Sequence, residues 1–484
     1  MKKLFSRKKG KHERGGGAIT ALAIAFFISL NLMLVALNAS FEWFFSITDK
    51  QYYTLNGSTD EYFEKINPEN KKIDFYFCMS EDSLNENYTY GRILDTVRQF
   101  SERYDFFSLH HLDVYYDYDF IKTELGVEEE VTKDSVILHS PGVGYTVRAL
   151  STFYIYDEND SSNDDMIFNG EEIVAVLVRR VLEDSFPKVY FTVGHGETST
   201  QSMQNLLYSA GYDVWTADIS KNEIEEECSL IVISNPLYDF EEYKDGSTSE
   251  ITRLRDFVAR GGNLIVLRSP SSPALPRLDA FCAAYGLSAN VGSALLDGEN
   301  SIAANAGALL LNYAEGDAAR AIALRASAAE GVGSLAASGM TSLSLSEGEG
   351  YTLEPLIQTY ASASLYTDGK AVSTGEHTVM ALSKISGRDG NVGSLTLVGG
   401  TGLADAMLLD MGGYGNESFL YSLLEYTDES VCAPVGAGVV VLNTYPLTNL
   451  SSNETRVLFV LLSALVPATA GVCGFFICRR RKNR

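Results

Sequence analysis

The sequence predicts an α/β protein built around a parallel sheet, and three observations carry that prediction. A short β-branched and aromatic run, 189–193, stops abruptly at Gly194-His195-Gly196-Glu197 and leads into a stretch, 198–210, with helical character. Similar apolar runs recur at 230–234, 263–268 and 393–398, separated by amphipathic stretches. Strand and helix signals that alternate in this way wind into parallel sheets. Two long uncharged segments, 18–37 and 457–478, bracket this region and read as membrane spans.

Charge marks out the ends. The 484 residues carry a formal net charge of −25, unevenly spread. Residues 1–14 hold seven Lys/Arg against Glu13 alone, and the last six residues hold five. Between 40 and 455 there are 62 acidic residues and 25 basic ones. Such a surface repels phosphate backbones and excludes nucleic acid as a partner. The basic tails, 1–17 and 479–484, flank the two apolar segments, so the positive-inside rule predicts a two-pass protein of the cell membrane. Both termini are then expected in the cytoplasm, residues about 40–455 outside, and membrane lipid around both spans. The run 18–37 exceeds a signal-peptide core of roughly 7–15 residues and no A-x-A site follows it, which favours an uncleaved anchor.

Residues 46–186 are expected to form a small domain. Strand signals stand at 73–77, 106–115, 135–139 and 151–156, with a turn at Pro141-Gly142. Ile93, Val97, Phe100 and Tyr104 recur at helical spacing over 92–104. The resulting βαβ-then-ββ order is a thioredoxin-like layer, but Cys78-Met79-Ser80-Glu81 lacks the second cysteine of a redox pair. The acidic stretch 157–165 lacks the spacing of a calcium loop and reads as solvated.

A helix at 171–184 leads to a second domain, 187–430, predicted as a doubly wound parallel sheet. Its strands are expected at 188–193, 212–216, 230–234, 263–268 and 393–398. Its helices are expected at 250–260, stopping at Gly261-Gly262, at 276–285, closed by Gly286, and at 417–424, capped by Asn416. Residues 287–390, rich in Ala, Ser and Gly, read as an insertion with some strands and an Ala-rich helix near 318–329, and 431–456 as a linker.

The chemistry is mostly defined by what is missing. No G-x-x-x-x-G-K-[ST] phosphate cradle, no G-x-S-x-G and no H-E-x-x-H occurs. Cysteines at 78, 228, 282, 432, 473 and 478 show no paired spacing, so no disulfide framework, zinc site or other metal site is expected. His110-His111 on a strand would face opposite sides and not share a metal. His195 and Glu197 are the one tempting pair. A histidine between glycines at a strand end can serve as a base or a ligand, or it can simply hydrogen-bond the turn while Glu197 faces a helix N-terminus. In the expected sheet, Asn235, Ser269 and Thr401 end their strands on the same edge as Gly194, His195, Gly196 and Glu197. That edge is the candidate binding surface.

These residues bring a family into view. Gly170-Glu171, the run Lys188 through Glu197, Ala210-Gly211-Tyr212-Asp213-Val214, Ser234-Asn235-Pro236 and Arg260-Gly261-Gly262-Asn263-Leu264 resemble the GldG-like family. Its members are auxiliary extracytoplasmic components of gliding-motility-type ABC transport systems. The ending, with Pro467, Gly471 and Arg479-Arg480-Arg481-Lys482, is also similar. The resemblance implies an outer domain like glutamine-amidotransferase sheets, no cofactor and no catalytic machinery. It implies a separate ABC ATPase and a multi-span permease as partners, with the cargo left open. The chain departs from the family at Gly399-Gly400-Thr401-Gly402, where an acidic residue more often follows glycine directly, and in the insertion 287–390. The expected function is a non-catalytic, membrane-anchored auxiliary subunit. The alternatives are a membrane-tethered envelope enzyme using His195 and Glu197, or an extracytoplasmic solute sensor.

Overall fold

The computed structural model describes residue 26 and residues 55–156, 165–198, 201–241, 249–327, 334–409, 413–435 and 440–443. Residues Thr54–Leu442 form one unit.

Helix α1 (Ser58–Ile66) precedes β1 (Ile73–Phe77), α2 (Glu81–Asn85), α3 (Tyr88–Arg103), β2 (Phe107–His111), β3 (Ser135–Ser140) and β4 (Gly144–Ala149). The sheet order is β2-β1-β3-β4, with β1 parallel to β2 and β3 antiparallel to both its neighbours. Alternation along β1 decides its two faces. Ile73, Phe75 and Phe77 pack with Ile93, Val97 and Phe100 of α3, while Tyr76 joins Ile121, Leu125 and Ile137 on the other side. Asn87 caps α3, its side chain accepting from the backbone N–H of Thr89 at 3.0 Å. The expected βαβ-then-ββ order is present, with one shift. Residues 144–149 form β4, whereas Leu150–Phe153 is a 3-10 turn before β5 (Tyr154–Tyr156), which pairs with β6 (Asp165–Phe168). Gly142, at φ +78°, makes 135–149 a hairpin, so the turn signal joins two strands.

Helix α4 (Gly170–Leu182) is buried on nearly every side, because it serves two sheets. Val174 and Val178 pack into the first core. Arg179 donates to the carbonyl oxygens of Ala210 at 2.8 Å and Cys432 at 2.5 Å, and Glu172 accepts from the Tyr421 hydroxyl at 2.6 Å.

The second sheet begins with β7 (Lys188–Thr192), α5 (Gln201–Ser209), β8 (Asp213–Ala217), β9 (Cys228–Ser234), α6 (Glu250–Ala259), β10 (Asn263–Leu267) and α7 (Pro276–Ala284). Then come β11 (Leu287–Ala289), β12 (Ser293–Leu296), β13 (Ser301–Ile302), β14 (Asn305–Tyr313), α8 (Asp317–Ala326), β15 (Leu335–Ser338) and β16 (Leu343–Leu345). The chain continues through β17 (Tyr351–Thr359), β18 (Ser364–Thr367), β19 (Lys370–Thr374), β20 (Thr378–Ser386), β21 (Val392–Val398), α9 (Ala406–Leu409) and α10 (Asn416–Thr427). The order β13-β14-β17-β20-β21-β10-β9-β7-β8 is parallel from β21 to β8 and antiparallel from β21 to β13. Helices cover both faces of the parallel half. Phe191, Val232 and Ile265 face α5 and α10, and Tyr190, Ile231 and Val266 face α6 and α7. Buried on both sides, these strands read as continuous apolar runs, which is why the sequence revealed them.

The protein is therefore a mixed α/β protein whose parallel sheet is extended by antiparallel strands. The stretch expected as an insertion has its strands and its helix α8, and several of those strands belong to the main sheet itself. Residues 287–390 supply β14, β17 and β20, which bond edge-on to β21 and continue the same sheet. The glycine stop of α6 is as expected. Gly261 stands at φ +103° and donates to Val258, and Gly262 donates to Phe257. Asn416 does not cap α10. It is fully buried, exchanges two hydrogen bonds with the backbone of Ala336 at 3.0 and 2.7 Å, and donates to Leu403 at 2.9 Å.

The two-pass membrane assignment is also corrected. Among the described residues no helix is long and apolar enough to cross a membrane. Helix α3, the longest, has 16 residues where a span needs about 20, and it carries Arg92, Asp95 and Arg98. Segments 18–37 and 457–478, the acidic stretch 157–164 and most of the linker 431–456 lie outside the described residues. The lipid contact, cytoplasmic termini and extracytoplasmic placement that rested on the two spans are set aside with them.

Candidate functional site

In the parallel half, β8 and β9 lie on opposite sides of β7, so the winding direction reverses between β7 and β9. Open sheets leave a crevice at the carboxyl ends of two such strands. Here the ends are Val193-Gly194-His195-Gly196-Glu197 and Ser234-Asn235-Pro236. Gly194 at φ +113° and Gly196 at φ +71° turn the first of them tightly. A methyl group on Gly196 would also lie 3.2 Å from the Leu237 Cβ. The two ends are tied together, because the carbonyl of His195 accepts from the N–H groups of Leu237 at 2.8 Å and Tyr238 at 2.9 Å.

His195 is the centre of a buried ionic clamp. Its Nδ1 lies 3.2 Å from Glu197 Oε1, and its Nε2 lies 3.1 and 3.3 Å from the two oxygens of Glu250. The ring stacks on Phe240 at 4.0 Å between centroids. His195 is 6% exposed and Glu250 is 0% exposed. Glu197 Oε2 accepts from the N–H of His195 at 2.8 Å, and Glu250 Oε2 from that of Glu241 at 2.6 Å. Burial alone would lower the imidazole pKa, but hydrogen bonds to Glu197 and Glu250, and then their charges, outweigh it and raise it to about 9. Burial would raise the Glu197 carboxyl, but the hydrogen bonds from His195 and from backbone N–H groups hold it below the usual carboxylate range. At neutral pH His195 is thus an imidazolium with both N–H groups committed. It is neither a base nor a ligand in that form. Its two nitrogens point to different carboxylates, and among the described residues no group of His, Cys, Asp and Glu is arranged to hold a metal ion.

The remaining predicted residues divide. Asn235, at φ +48°, and Ser269 are brought together. Asn235 Oδ1 accepts from the Ser269 N–H and hydroxyl, both at 3.2 Å, and from the Ser272 hydroxyl, while its Nδ2 donates to Thr198 Oγ1 at 3.3 Å. Thr401 stands apart from this network, in a turn closed by the Ala404 N–H on its carbonyl. The glycines around it serve close packing. A methyl group on Gly399 would lie 2.1 Å from the Thr341 carbonyl oxygen, and one on Gly402 would lie 2.1 Å from that of Ser338. Residues 338–341 therefore cover the end of β21.

Two participants, Glu250 and Phe240, and one buried cation, Arg268, have no local signature in the sequence. Glu250 registers only as the first residue of a helix capped by Ser249. Phe240 is one apolar residue in an acidic loop. Arg268 is 1% exposed, with Nη2 3.1 Å from Asp279 and 2.7 Å from the Pro273 carbonyl, yet it reads as the polar end of a strand. Elsewhere, Cys78 is buried and burial pushes its thiol up to about 12, which removes thiolate chemistry from the end of β1. His110 and His111 go to different partners, Asp74 at 3.1 Å and the Met79 carbonyl at 3.1 Å.

No family model and no curated protein matches the chain. Among solved structures it is similar to the N-terminal domain of mmIFT52, at 16% identity and a TM-score of 0.38, covering 50% of this chain and 96% of that one. It is similar to a ThuA-like protein from Bacteroides uniformis at 13% identity and a TM-score of 0.30, covering 50% and 91%. A third likeness is to PurLQS from Thermotoga maritima, at 11% identity and a TM-score of 0.28, covering 50% and 100%. Scores of this size assign no activity.

Proposed function

We propose that the chain is a non-catalytic auxiliary subunit of an ABC-type transport system, as its resemblance to the GldG-like family implies. A separate ATPase and a multi-span permease would be its partners, and the β7/β9 edge would meet cargo or another subunit. One observation carries the non-catalytic part. Among the described residues, the histidine at the strand-end crevice is spent, with both ring nitrogens on buried or nearly buried carboxylates. The order β2-β1-β3-β4 supports a thioredoxin-like first layer, and β8-β7-β9-β10-β21 supports a glutamine-amidotransferase-like parallel half. Purification of the tagged chain from its native cells in mild detergent tests the proposal. A stable three-component complex is expected. Recovery of this chain alone, under conditions that keep ATPase and permease together, refutes it.

A further inference from the structure

The stretch that follows β2 is the most exposed aromatic surface among the described residues. Tyr115 is 89% exposed, Tyr116 90%, Tyr118 55% and Phe120 38%. Solvated rings at this density normally mark a contact surface, because apolar area left in water has a cost that a partner removes. The backbone beneath them is already fixed. Asp113 Oδ1 accepts from the N–H groups of Tyr115 at 2.9 Å and Tyr116 at 3.1 Å, and Asp117 Oδ2 accepts from the Asp113 N–H at 2.8 Å. Ile121, Leu125 and Val127 anchor the other end in the core beside Ile137. The tyrosines are thus presented on a rigid base and lose little freedom on binding.

The charge around the rings selects the partner. Residues 113–130 contain seven carboxylates and one cation, Lys122. That cation is occupied, its Nζ donating to the carbonyl oxygens of Glu128 at 3.1 Å and Glu129 at 3.0 Å. Lys122 also lies over the Tyr118 ring and Phe120 packs on Tyr76, which leaves Tyr115 and Tyr116 as the most exposed rings of an acidic stretch. Such a surface suits a guanidinium, which stacks on aromatic rings and bridges carboxylates with two parallel hydrogen bonds. An ammonium offers the charge without the plane. We infer that the surface centred on Tyr115 and Tyr116 docks an arginine-rich segment of a partner protein. It stands on the first sheet and does not depend on the transport reading.

The test uses the full chain and a labelled twelve-residue Arg-Gly repeat peptide, with a Lys-Gly peptide of equal charge beside it. Anisotropy is read at near-physiological salt so that long-range attraction to an acidic protein is screened. Tyr115→Ala with Tyr116→Ala should weaken the Arg-Gly peptide roughly tenfold, while Tyr88→Ala, equally a loss of an exposed ring, should change it less than about twofold. The Lys-Gly peptide should bind several-fold more weakly to the parent. Equal affinities for parent and double variant, or for the two peptides, overturn the inference. So does a concentration-dependent dimer that the double variant abolishes, since the surface would then face a second copy of the chain. Neither ring supports the fold, so the double variant should melt with the parent.

Discussion

The buried clamp at His195 makes the stability of this protein fall as pH rises, in a window its pKa defines. His195 is raised from 6.5 to about 9. A raised folded-state value means that the contribution is fully present below pH 6.5 and is lost as pH climbs through about 9. The difference, roughly 2.5 units, corresponds to about 3 kcal/mol, with a slope near 1.4 kcal/mol per pH unit in between. The assay is urea denaturation at pH 6, 7.5 and 9 of the parent and of His195→Gln, which cannot titrate. Subtraction removes the buried thiols and every other group the two proteins share. The parent should lose about 3 kcal/mol more than the variant over the range. Glu250→Gln keeps the shape of the site and removes one charge, so the loss should be smaller and should end at lower pH, with its onset near pH 6.5 unchanged. Parallel profiles for parent and His195→Gln between pH 6.5 and 9 would refute an imidazolium clamped between Glu197 and Glu250.

Glu171 gives a second and separate window. Burial raises its carboxyl to about 7, against hydrogen bonds from Thr59 and Asn56, so stability should fall between pH 4.5 and 7. Glu171→Gln should flatten that part of the profile and raise the melting temperature at pH 8. Gly196→Ala should cost about 1–3 kcal/mol, from its positive φ and from the approach of Leu237, measurable by thermal melting. Asn416→Ala should cost about 2–4 kcal/mol, because it leaves the N–H and carbonyl of Ala336 without partners inside the core.

The parts of the fold that could be read from the sequence are those where one short segment meets the same environment along its length. Strands β7, β9, β10 and β21 are buried on both faces and end at glycine or proline, so composition alone marks them. The antiparallel extension could not be read in this way. Strands β14, β17 and β20 mix Ala, Ser and Thr with Leu and Ile, and they are defined by pairing across tens of residues. The site divides along the same line. The glycines of 194–197 announce a tight turn, and their positive φ angles explain why they are there. The partner that decides the chemistry, Glu250, sits 55 residues away, and no local pattern links it to His195. Asn416 shows the same limit. Its type suits a helix cap, but it is spent on Ala336, 80 residues earlier.

Strand β20 lies against β21 over seven paired positions, from Met380 opposite Val398 to Ser386 opposite Val392. Residues 287–390 consequently cannot be excised or exchanged as a cassette. Cutting them out would bare the backbone donors and acceptors of β21 along a flat apolar margin, where a neighbouring molecule could add a strand of its own. A shortened chain of that kind would be an aggregation seed, and grafting experiments on this protein should keep the whole sheet together.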